Sequence, residues 1–145
     1  MRAVVQRVTE ASVSVGDTVV GLCRDGLLVL LGVAVGDGVD TAERLARKVA
    51  RLRVFEDEDG RLDRSLVDVG GAALVVSQFT LLADTSKGNR PSFTRAADPA
   101  QAEALYERFC AALEREAVTV SRGVFGARMR VSLVNEGPVT IVLDG

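Results

Sequence analysis

Short, valine-rich apolar segments recur along this chain and do not alternate regularly with helical patterns. β-Branched residues in runs bounded by Gly and Asp are typical of β-strands. Two strands joined by a tight turn at Gly16-Asp17 are predicted at the N-terminus. Five further strands are predicted at residues 27–35, 72–78, 117–121, 129–134 and 139–143. This order favours an α+β domain over a doubly wound α/β fold, in which strands and helices alternate.

Only two segments have the pattern of a helix. The first is predicted from Asp40 to about Arg53, where leucine and valine recur on one face at helical spacing. The second is predicted to begin at Asp98-Pro99, because an N-cap residue there precedes a proline suited to the first turn. Its predicted buried stripe consists of Leu105, Phe109, Ala112 and Leu113. We expect a single domain over residues 1–145, with a mixed or antiparallel sheet curled over two main helices.

The remaining segments are predicted to be turns and loops. Residues 56–60 form an acidic turn that ends in Asp-Gly, which favours a solvated hairpin because the ligand spacing of a calcium loop is missing. Residues 83–97 are predicted to form an irregular loop. Asn135 to Thr140 contains Gly-Pro and is predicted to be a turn between two strands.

The chain contains no histidine. This excludes a Ser-His-Asp triad, a Cys-His dyad, a histidine general base and every zinc site that uses histidine. Its two cysteines, Cys23 and Cys110, are far apart in apolar segments, so we interpret them as buried free thiols rather than a disulfide or a thiolate zinc site. We expect no metal and no cofactor, and any catalysis must work without histidine.

The overall charge limits how the chain could bind nucleic acid. The formal net charge is −2 and the isoelectric point is about 5.2, so contacts to RNA would have to be local. Polar residues from Arg2 to Glu10 leave no room for a secretory signal at the start of this sequence. The longest apolar run, residues 27–35, is too short for the ~20 residues of a membrane-spanning helix. We therefore expect a cytoplasmic protein that does not contact membranes.

Three polar stretches are unusual for a plain core: Ser77 to Leu81, Lys87 to Phe93, and Asn135 to Thr140. The first places two hydroxyls and an amide at the end of an apolar strand, and the second is a basic loop that contains a proline. Each stretch alone has an ordinary structural explanation, since strand ends, solvated loops and turns often contain these residue types.

Taken together, Ser77-Gln78-Phe79-Thr80-Leu81 and Asn135-Glu136-Gly137-Pro138-Val139-Thr140 resemble the motif pair of the D-aminoacyl-tRNA deacylase family. The resemblance covers the whole chain and includes residues 1–8, 26–33, 52–55 and 87–93, and Phe125-Gly126-Ala127 with Met129. Two departures are visible. Glu136 stands where the family usually has Asp, and Arg61 to Arg64 replaces a stretch that normally contains Met and Asn.

This resemblance implies a homodimer that hydrolyses the ester bond of D-aminoacyl-tRNA to free amino acid and tRNA. It also implies hydrolysis of glycyl-tRNA mischarged on tRNA(Ala), and rejection of L-aminoacyl-tRNA. Gly137 and Pro138, joined by a cis peptide, would enter the pocket of the partner subunit. Their carbonyl groups would accept from the α-ammonium of a D-residue and leave no room for an L side chain.

The resemblance also assigns roles to individual residues. The catalytic segment would be Ser77, Gln78, Phe79 and Thr80. Phe125 and Met129 would line the pocket for the terminal adenosine. From their charge alone, Lys87, Arg90 and Arg95 could contact tRNA phosphates; a surface loop paired with acidic neighbours explains each of these residues equally well.

Two mechanisms and one different function remain open at this point. Hydrolysis could be assisted by the free hydroxyl of the terminal ribose, with backbone N–H groups near Phe79 and Thr80 stabilising the oxyanion. Alternatively, the Thr80 hydroxyl could act as a nucleophile, although no base is apparent beside it. A chain of the same fold could also be a dimeric nucleic-acid-binding module without hydrolase activity, because fold does not determine function.

Overall fold

A computed structural model of the chain describes all residues from Met1 to Gly145, which fold around one large mixed sheet. The strands of that sheet are β1 (Arg2–Val15), β2 (Thr18–Cys23), β3 (Gly26–Gly32), β6 (Ala72–Ser77), β7 (Thr119–Arg122) and β8 (Arg130–Asp144). A small hairpin consists of β4 (Phe55–Glu56) and β5 (Leu62–Arg64). The helices are α1 (Val39–Arg51), α2 (Leu66–Val69) and α3 (Pro99–Arg115), with a 3₁₀ helix at Phe79–Leu82.

The long strand β1 organises the sheet. It pairs antiparallel with β3 through its first half, with β2 through its second half, and with β8 on its other side. Beyond β3 the sheet continues in parallel through β6 and β7, so the predicted mixed sheet is confirmed. The sheet also curls until β2 and β7 nearly meet: a Cβ atom added at Gly21 would lie 2.5 Å from the carbonyl oxygen of Arg122.

Two hydrophobic clusters lie on opposite faces of the sheet. The larger one fills the space between the sheet and the helices α1 and α3, and it contains the buried stripe predicted for the second helix. The smaller one lies inside the curl, around Val13, Leu28 and Leu74. Each cluster holds one cysteine, Cys110 in the larger and Cys23 in the smaller, and both are buried free thiols as expected.

The two predicted long helices are present, with small differences at their ends. The Asp98 carboxylate accepts a hydrogen bond from the backbone N–H of Gln101 at 3.1 Å, which confirms the predicted start of α3. α1 ends at Arg51, two residues before the predicted end, because Leu52 adopts an extended conformation. The phenol of Tyr106 on α3 donates to the carbonyl oxygen of Val75 on β6 at 2.7 Å and so ties this helix to the sheet.

The prediction of a turn between two strands at Asn135 to Thr140 is wrong. β8 runs continuously through this segment and bulges there: Asn135 pairs with Val8 and Thr140 with Gln6, so residues 136–139 lie opposite Arg7 alone. The Asn135 side-chain amide closes the bulge by donating to the carbonyl oxygens of Arg7 (3.0 Å) and Val139 (2.9 Å). The Gly137–Pro138 peptide bond inside the bulge is cis, as the resemblance implied.

The other predicted segments agree with the structure more closely. The acidic turn at residues 56–60 joins β4 to β5 as a hairpin, and residues 83–97 form an irregular loop held by isolated bridges at Asp84 and Ala96. α2 and the 3₁₀ helix were not predicted, because four residues are too few to show a helical period. None of the helices is both long and apolar enough to cross a membrane.

Candidate functional site

A pocket of about 560 Å³ lies where β6 ends. Its walls come from the end of β6, the loop before α3, the first turn of α3 and the segment that leads into β8. The lining residues are Val33, Val76, Ser77, Gln78, Phe79, Phe93, Ala96, Ala97, Pro99, Ala102, Phe125, Gly126, Ala127, Met129 and Val131. Segments distant in sequence therefore meet at one cavity.

Five of the residues singled out in the sequence line this pocket: Ser77, Gln78, Phe79, Phe125 and Met129. The structure brings together the proposed catalytic segment and the proposed adenosine pocket, although about 45 residues separate them in the chain. Because β6 pairs in parallel with both β3 and β7, its carboxyl end opens towards the loops that complete the cavity.

Thr80 lies beside the pocket rather than in its wall. Its hydroxyl accepts a hydrogen bond from the side-chain amide of Gln78, so the two side chains of the motif constrain each other. Thr80 is also the second residue of the 3₁₀ helix, in which the first backbone bond joins the Leu81 N–H to the Gln78 carbonyl oxygen at 3.2 Å. The amides of Phe79 and Thr80 precede that bond and have no acceptor within the helix.

Phe93 belongs to the pocket although sequence reasoning assigned it no role. Its ring packs edge-on against Phe79, with the ring centroids 5.0 Å apart and the planes at 68°. Phe79 is 54% exposed, so one face of this aromatic pair remains open to a ligand. The signal that could have identified Phe93 is an aromatic residue two positions after Pro91 in an otherwise polar loop.

None of the residues that line the pocket carries an ionisable side chain. The polar groups available are one hydroxyl, one side-chain amide and backbone N–H and C=O groups, set in a mainly apolar wall. Such a cavity can bind a flat apolar ring and position a polar group beside it. It supplies no side chain able to act as a general base.

Gly137 and Pro138 do not line this pocket. They lie on the exposed outer side of the β8 bulge, next to the guanidinium of Arg7. Arg7 donates through Nε to the Glu136 carbonyl oxygen (3.2 Å) and through Nη1 to the Val54 carbonyl oxygen (2.8 Å), and Nη2 lies 3.5 Å from Glu56. Only 8% of Arg7 is exposed, so this arginine holds the bulge from beneath.

Arg7 was not among the predicted site residues. The sequence places it in a strand, where an arginine is ordinarily solvated, and only its position opposite the bulge reveals the contact. No acidic pattern near Arg7 in the sequence pointed to that role.

The basic loop residues Lys87, Arg90 and Arg95 are all exposed, and none has an acidic group within 4.0 Å. Pairing with acidic neighbours therefore does not account for them. At the base of the loop, the pKa of Asp84 is held below its ordinary value, first by the backbone N–H of Ser86 and only weakly by Arg95.

Comparisons with known proteins identify the family of the chain. A family model described as "D-Tyr-tRNA(Tyr) deacylase" matches residues 4–144. A protein of Roseiflexus sp. (strain RS-1) named D-aminoacyl-tRNA deacylase is 62% identical over 144 residues, which cover 99% of this chain and 93% of that protein. The protein of the same name from Ruegeria pomeroyi is 57% identical over 144 residues, which cover 99% of this chain and 99% of that protein.

Solved structures have the same fold. One, titled "c-Myc DNA Unwinding Element Binding Protein", has a TM-score of 0.93 and 44% identity and covers 100% of this chain and 99% of its own. A probable eukaryotic D-amino acid tRNA deacylase has a TM-score of 0.84 with 98% of this chain and 97% of its own covered, but at 18% identity it is evidence for the fold alone. From the family match and the full-length relatives together, the chain belongs to the D-Tyr-tRNA(Tyr) deacylase family.

Proposed function

We propose that this protein hydrolyses the ester bond of D-aminoacyl-tRNA in the cytoplasm, and thereby removes wrongly attached D-amino acids before translation uses them. The observation that carries the proposal is the neutral pocket at the end of β6, lined by Ser77, Gln78 and Phe79 in a chain of the deacylase family. Relatives covered over 93% and 99% of their length are named D-aminoacyl-tRNA deacylase.

A substrate-assisted mechanism fits a pocket without ionisable side chains. The ester is already activated by the α-ammonium group and by the adjacent ribose hydroxyl, which can position or deprotonate water. The amides of Phe79 and Thr80 would stabilise the developing oxyanion, and such preorganised donors typically contribute about 10²–10³-fold in rate. Ser77 and Gln78 would hold the ester and the sugar in place.

The apolar wall suits the terminal adenine. Phe79 and Phe93 present an aromatic surface at the mouth, and Phe125 and Met129 line the cavity behind it. Contacts of a base with aromatic side chains are worth about 1–3 kcal/mol each, so this wall can hold the terminal adenine without a charged residue.

Chiral selection is the part of the proposal that needs a second subunit. Gly137 and Pro138 are exposed and lie outside the pocket of their own chain, so we propose that they enter the pocket of a partner copy and exclude an L side chain with their backbone. The strand β8 that carries them pairs on one side only, with β1, and exposes Val134 and Val142. A strand with one unpaired edge and exposed apolar side chains favours association with another chain.

The same filter would pass glycine, because glycine has no side chain to exclude. We therefore propose glycyl-tRNA mischarged on tRNA(Ala) as a second substrate. The exposed, unpaired side chains of Lys87, Arg90 and Arg95 are proposed to contact phosphates near the aminoacylated end.

The proposal is tested by hydrolysis of the same tRNA charged with D-tyrosine, with L-tyrosine and with glycine. D-tyrosyl and glycyl esters should be cleaved much faster than the L-tyrosyl ester. Equal rates on the two tyrosyl esters would contradict the chiral filter. Light scattering at the assay concentration tests the homodimer, and a fully active monomer would refute it.

One change in the enzyme and one in the substrate distinguish ribose-assisted hydrolysis from nucleophilic attack by Thr80. If the ribose hydroxyl assists, Thr80→Ala should retain substantial activity, and a substrate ending in 2′-deoxyadenosine should lose most of it. The reverse pattern would establish the Thr80 hydroxyl as a nucleophile, and single-turnover assays would then trap an acyl-enzyme.

A second candidate function is that of a nucleic-acid-binding module without hydrolase activity. The observation that favours it is the 44% identity to the protein named "c-Myc DNA Unwinding Element Binding Protein". A wild-type protein that binds tRNA or duplex DNA but leaves D-tyrosyl-tRNA intact would support this function over the deacylase.

A further inference from the structure

A ten-residue stretch around the end of α1 is rich in positively charged residues. Residues 44–53 contain five of the 18 Lys and Arg residues and no Asp or Glu, in a chain of net charge −2. We name the surface they form the α1 basic surface; its members are Arg44, Arg47, Lys48, Arg51 and Arg53.

The helix gathers four of these side chains on one face. Arg44, Arg47, Lys48 and Arg51 follow a spacing of three, four and seven residues, which places them together opposite the buried stripe of Leu45 and Val49. With Arg53, three of them line a shallow groove that contains no acidic residue. All five side chains are exposed.

Three of these five basic side chains form no ion pair within the chain. Arg44, Arg47 and Lys48 have no acidic partner within 4.0 Å, and Asp40, the acid on this face, lies in the first turn of the helix. Arg51 pairs with Glu116 at 2.9 Å but remains 71% exposed. Arg53 pairs with Asp63 at 3.1 Å and remains 70% exposed.

Favourable interaction with the helix dipole does not explain the whole cluster. That effect is confined to the last turn, which contains Lys48 and Arg51. Arg44 and Arg47 lie further up the helix, and Arg53 lies beyond its end. Repulsion among the unpaired Arg44, Arg47 and Lys48 destabilises the folded chain unless a negatively charged partner offsets it.

The α1 basic surface lies close to the bulge of β8. Val54, the residue after Arg53, accepts a hydrogen bond from Arg7 Nη1, and the same guanidinium donates through Nε to Glu136. One arginine side chain therefore spans the gap between the end of the basic stretch and the residue before Gly137.

We propose that the α1 basic surface binds backbone phosphates of the acceptor arm of tRNA. The inference rests on the proposed function, in which Gly137 and Pro138 meet the aminoacylated end of the substrate. The end of the α1 basic surface, at Arg53, lies beside that bulge, so the cations along α1 would contact the nucleotides behind the ester. Arginine and lysine bind phosphates irrespective of base sequence, as a general proofreading enzyme requires.

The test compares a long substrate with a short one. The variant R47Q/K48Q removes two exposed charges that make no ion pair, and R24Q/R130Q is the matched control, because Arg24 and Arg130 are also exposed, make no ion pair and lie outside α1. Each protein is assayed on D-tyrosyl-tRNA and on the D-tyrosyl ester of adenosine, which lacks the acceptor arm. Circular dichroism checks that all variants fold.

R47Q/K48Q should lose about 10-fold in kcat/KM on D-tyrosyl-tRNA through KM, with kcat unchanged, and should match wild type on the adenosine ester. The slope of log kcat/KM against log salt should fall by roughly 0.7–0.9 for each phosphate that the variant no longer binds. The control R24Q/R130Q should behave as wild type on both substrates. Wild-type kinetics of R47Q/K48Q on the tRNA, or equal losses on both substrates, would overturn the proposal.

A failure of the proposed function would look different, because wild type would then cleave neither ester. The surface would still be tested by filter binding of uncharged tRNA, for which R47Q/K48Q should bind about 10-fold more weakly than wild type. Equal binding by the two proteins would overturn the inference. Binding to vesicles of phosphatidylserine is measured in parallel. If R47Q/K48Q binds these vesicles more weakly than wild type but binds tRNA equally well, the surface is a membrane-binding site and the inference is overturned.

Discussion

Arg7 shows how one side chain can determine the geometry of a distant motif. Its guanidinium contacts the Glu136 carbonyl oxygen, the Val54 carbonyl oxygen and the Glu56 carboxylate, and thus joins β8, β4 and the connection between α1 and β4. A planar group with several fixed donors can serve these acceptors at once, whereas the ammonium of lysine is a single point charge on a flexible chain.

Replacing Arg7 with lysine should therefore release the β8 bulge. We expect a loss of about 1–3 kcal/mol in the free energy of unfolding, because at least one buried carbonyl loses its donor. Activity on D-tyrosyl-tRNA should fall further than stability explains, since Gly137 no longer has a fixed position. Urea unfolding and kcat/KM, measured on the same preparations, check this. An Arg7→Lys enzyme with wild-type kcat/KM would show that the bulge is held without the guanidinium.

At this scale the sequence predicted the pocket residues only where a motif named them. Ser77 to Phe79, Phe125 and Met129 were found through the resemblance, and the structure brings them into one cavity. Phe93 and Arg7 were missed because their roles depend on partners 14 and 129 residues away in the chain. Neither periodicity nor local composition can reveal a contact with a residue that is distant in the chain.

Among the elements, the 3₁₀ helix depends on close packing against the end of β3. A Cβ atom added at Gly32 would collide with Leu82 and would lie 3.0 Å from the Gln78 carbonyl oxygen and 3.2 Å from the Leu81 Cβ. Glycine at this position lets the strand approach the helix whose first residues, Phe79 and Thr80, belong to the proposed site.

The substitution Gly32→Ala should push the 3₁₀ helix outwards and misplace the amides of Phe79 and Thr80. We expect kcat/KM on D-tyrosyl-tRNA to fall at least 10-fold, with a loss of about 1–3 kcal/mol in stability from overpacking. The matched control is Gly38→Ala, because a Cβ atom at Gly38 meets nothing within 4 Å and its φ of −133° suits alanine. Equal kinetics for the two variants would contradict the argument.

The elements that could be predicted are those with enough length to show a period. α1, α3 and the long strands meet this condition, and their predicted bounds differ from the structure by a few residues. The bulge in β8 was predicted as a turn because Gly137-Pro138 is ordinarily a chain reversal; continuous pairing with β1 on either side overrides that local preference. α2 was missed although it has a capping box, formed by Ser65 and Asp68.

For the molecule as a whole, buried acidic groups of high pKa predict a loss of stability in alkali. Burial raises the pKa of the Cys110 thiol from 9.0 to about 12 and raises that of the Tyr106 phenol above its ordinary 10.0. The unfolded chain therefore releases these protons at lower pH than the folded one. The stability is fully present below about pH 9 and decreases as the pH rises towards 12.

Thermal unfolding between pH 8 and pH 11 checks this expectation. The unfolding midpoint should be level near pH 8 and then decline, because the free energy of unfolding falls by up to about 1.4 kcal/mol per pH unit for each titrating group. Cys110→Ala should lower the midpoint at every pH, because it leaves a cavity, yet its decline above pH 9 should be shallower. A slope identical to that of wild type would mean that this thiol does not cause the alkaline loss.

The distribution of the two thiols also permits an experiment on cooperativity. Cys110 lies in the cluster under α1 and α3, and Cys23 lies in the smaller cluster inside the curl of the sheet, with 0% and 5% exposed. A thiol reagent can modify either cysteine only when its own cluster opens. Labelling rates of the two single-cysteine proteins would therefore report the opening free energies of the two clusters separately. Identical rates would mean that both clusters open in one cooperative event, and a faster rate at Cys23 would mean that the curl of the sheet loosens while the helical side stays closed.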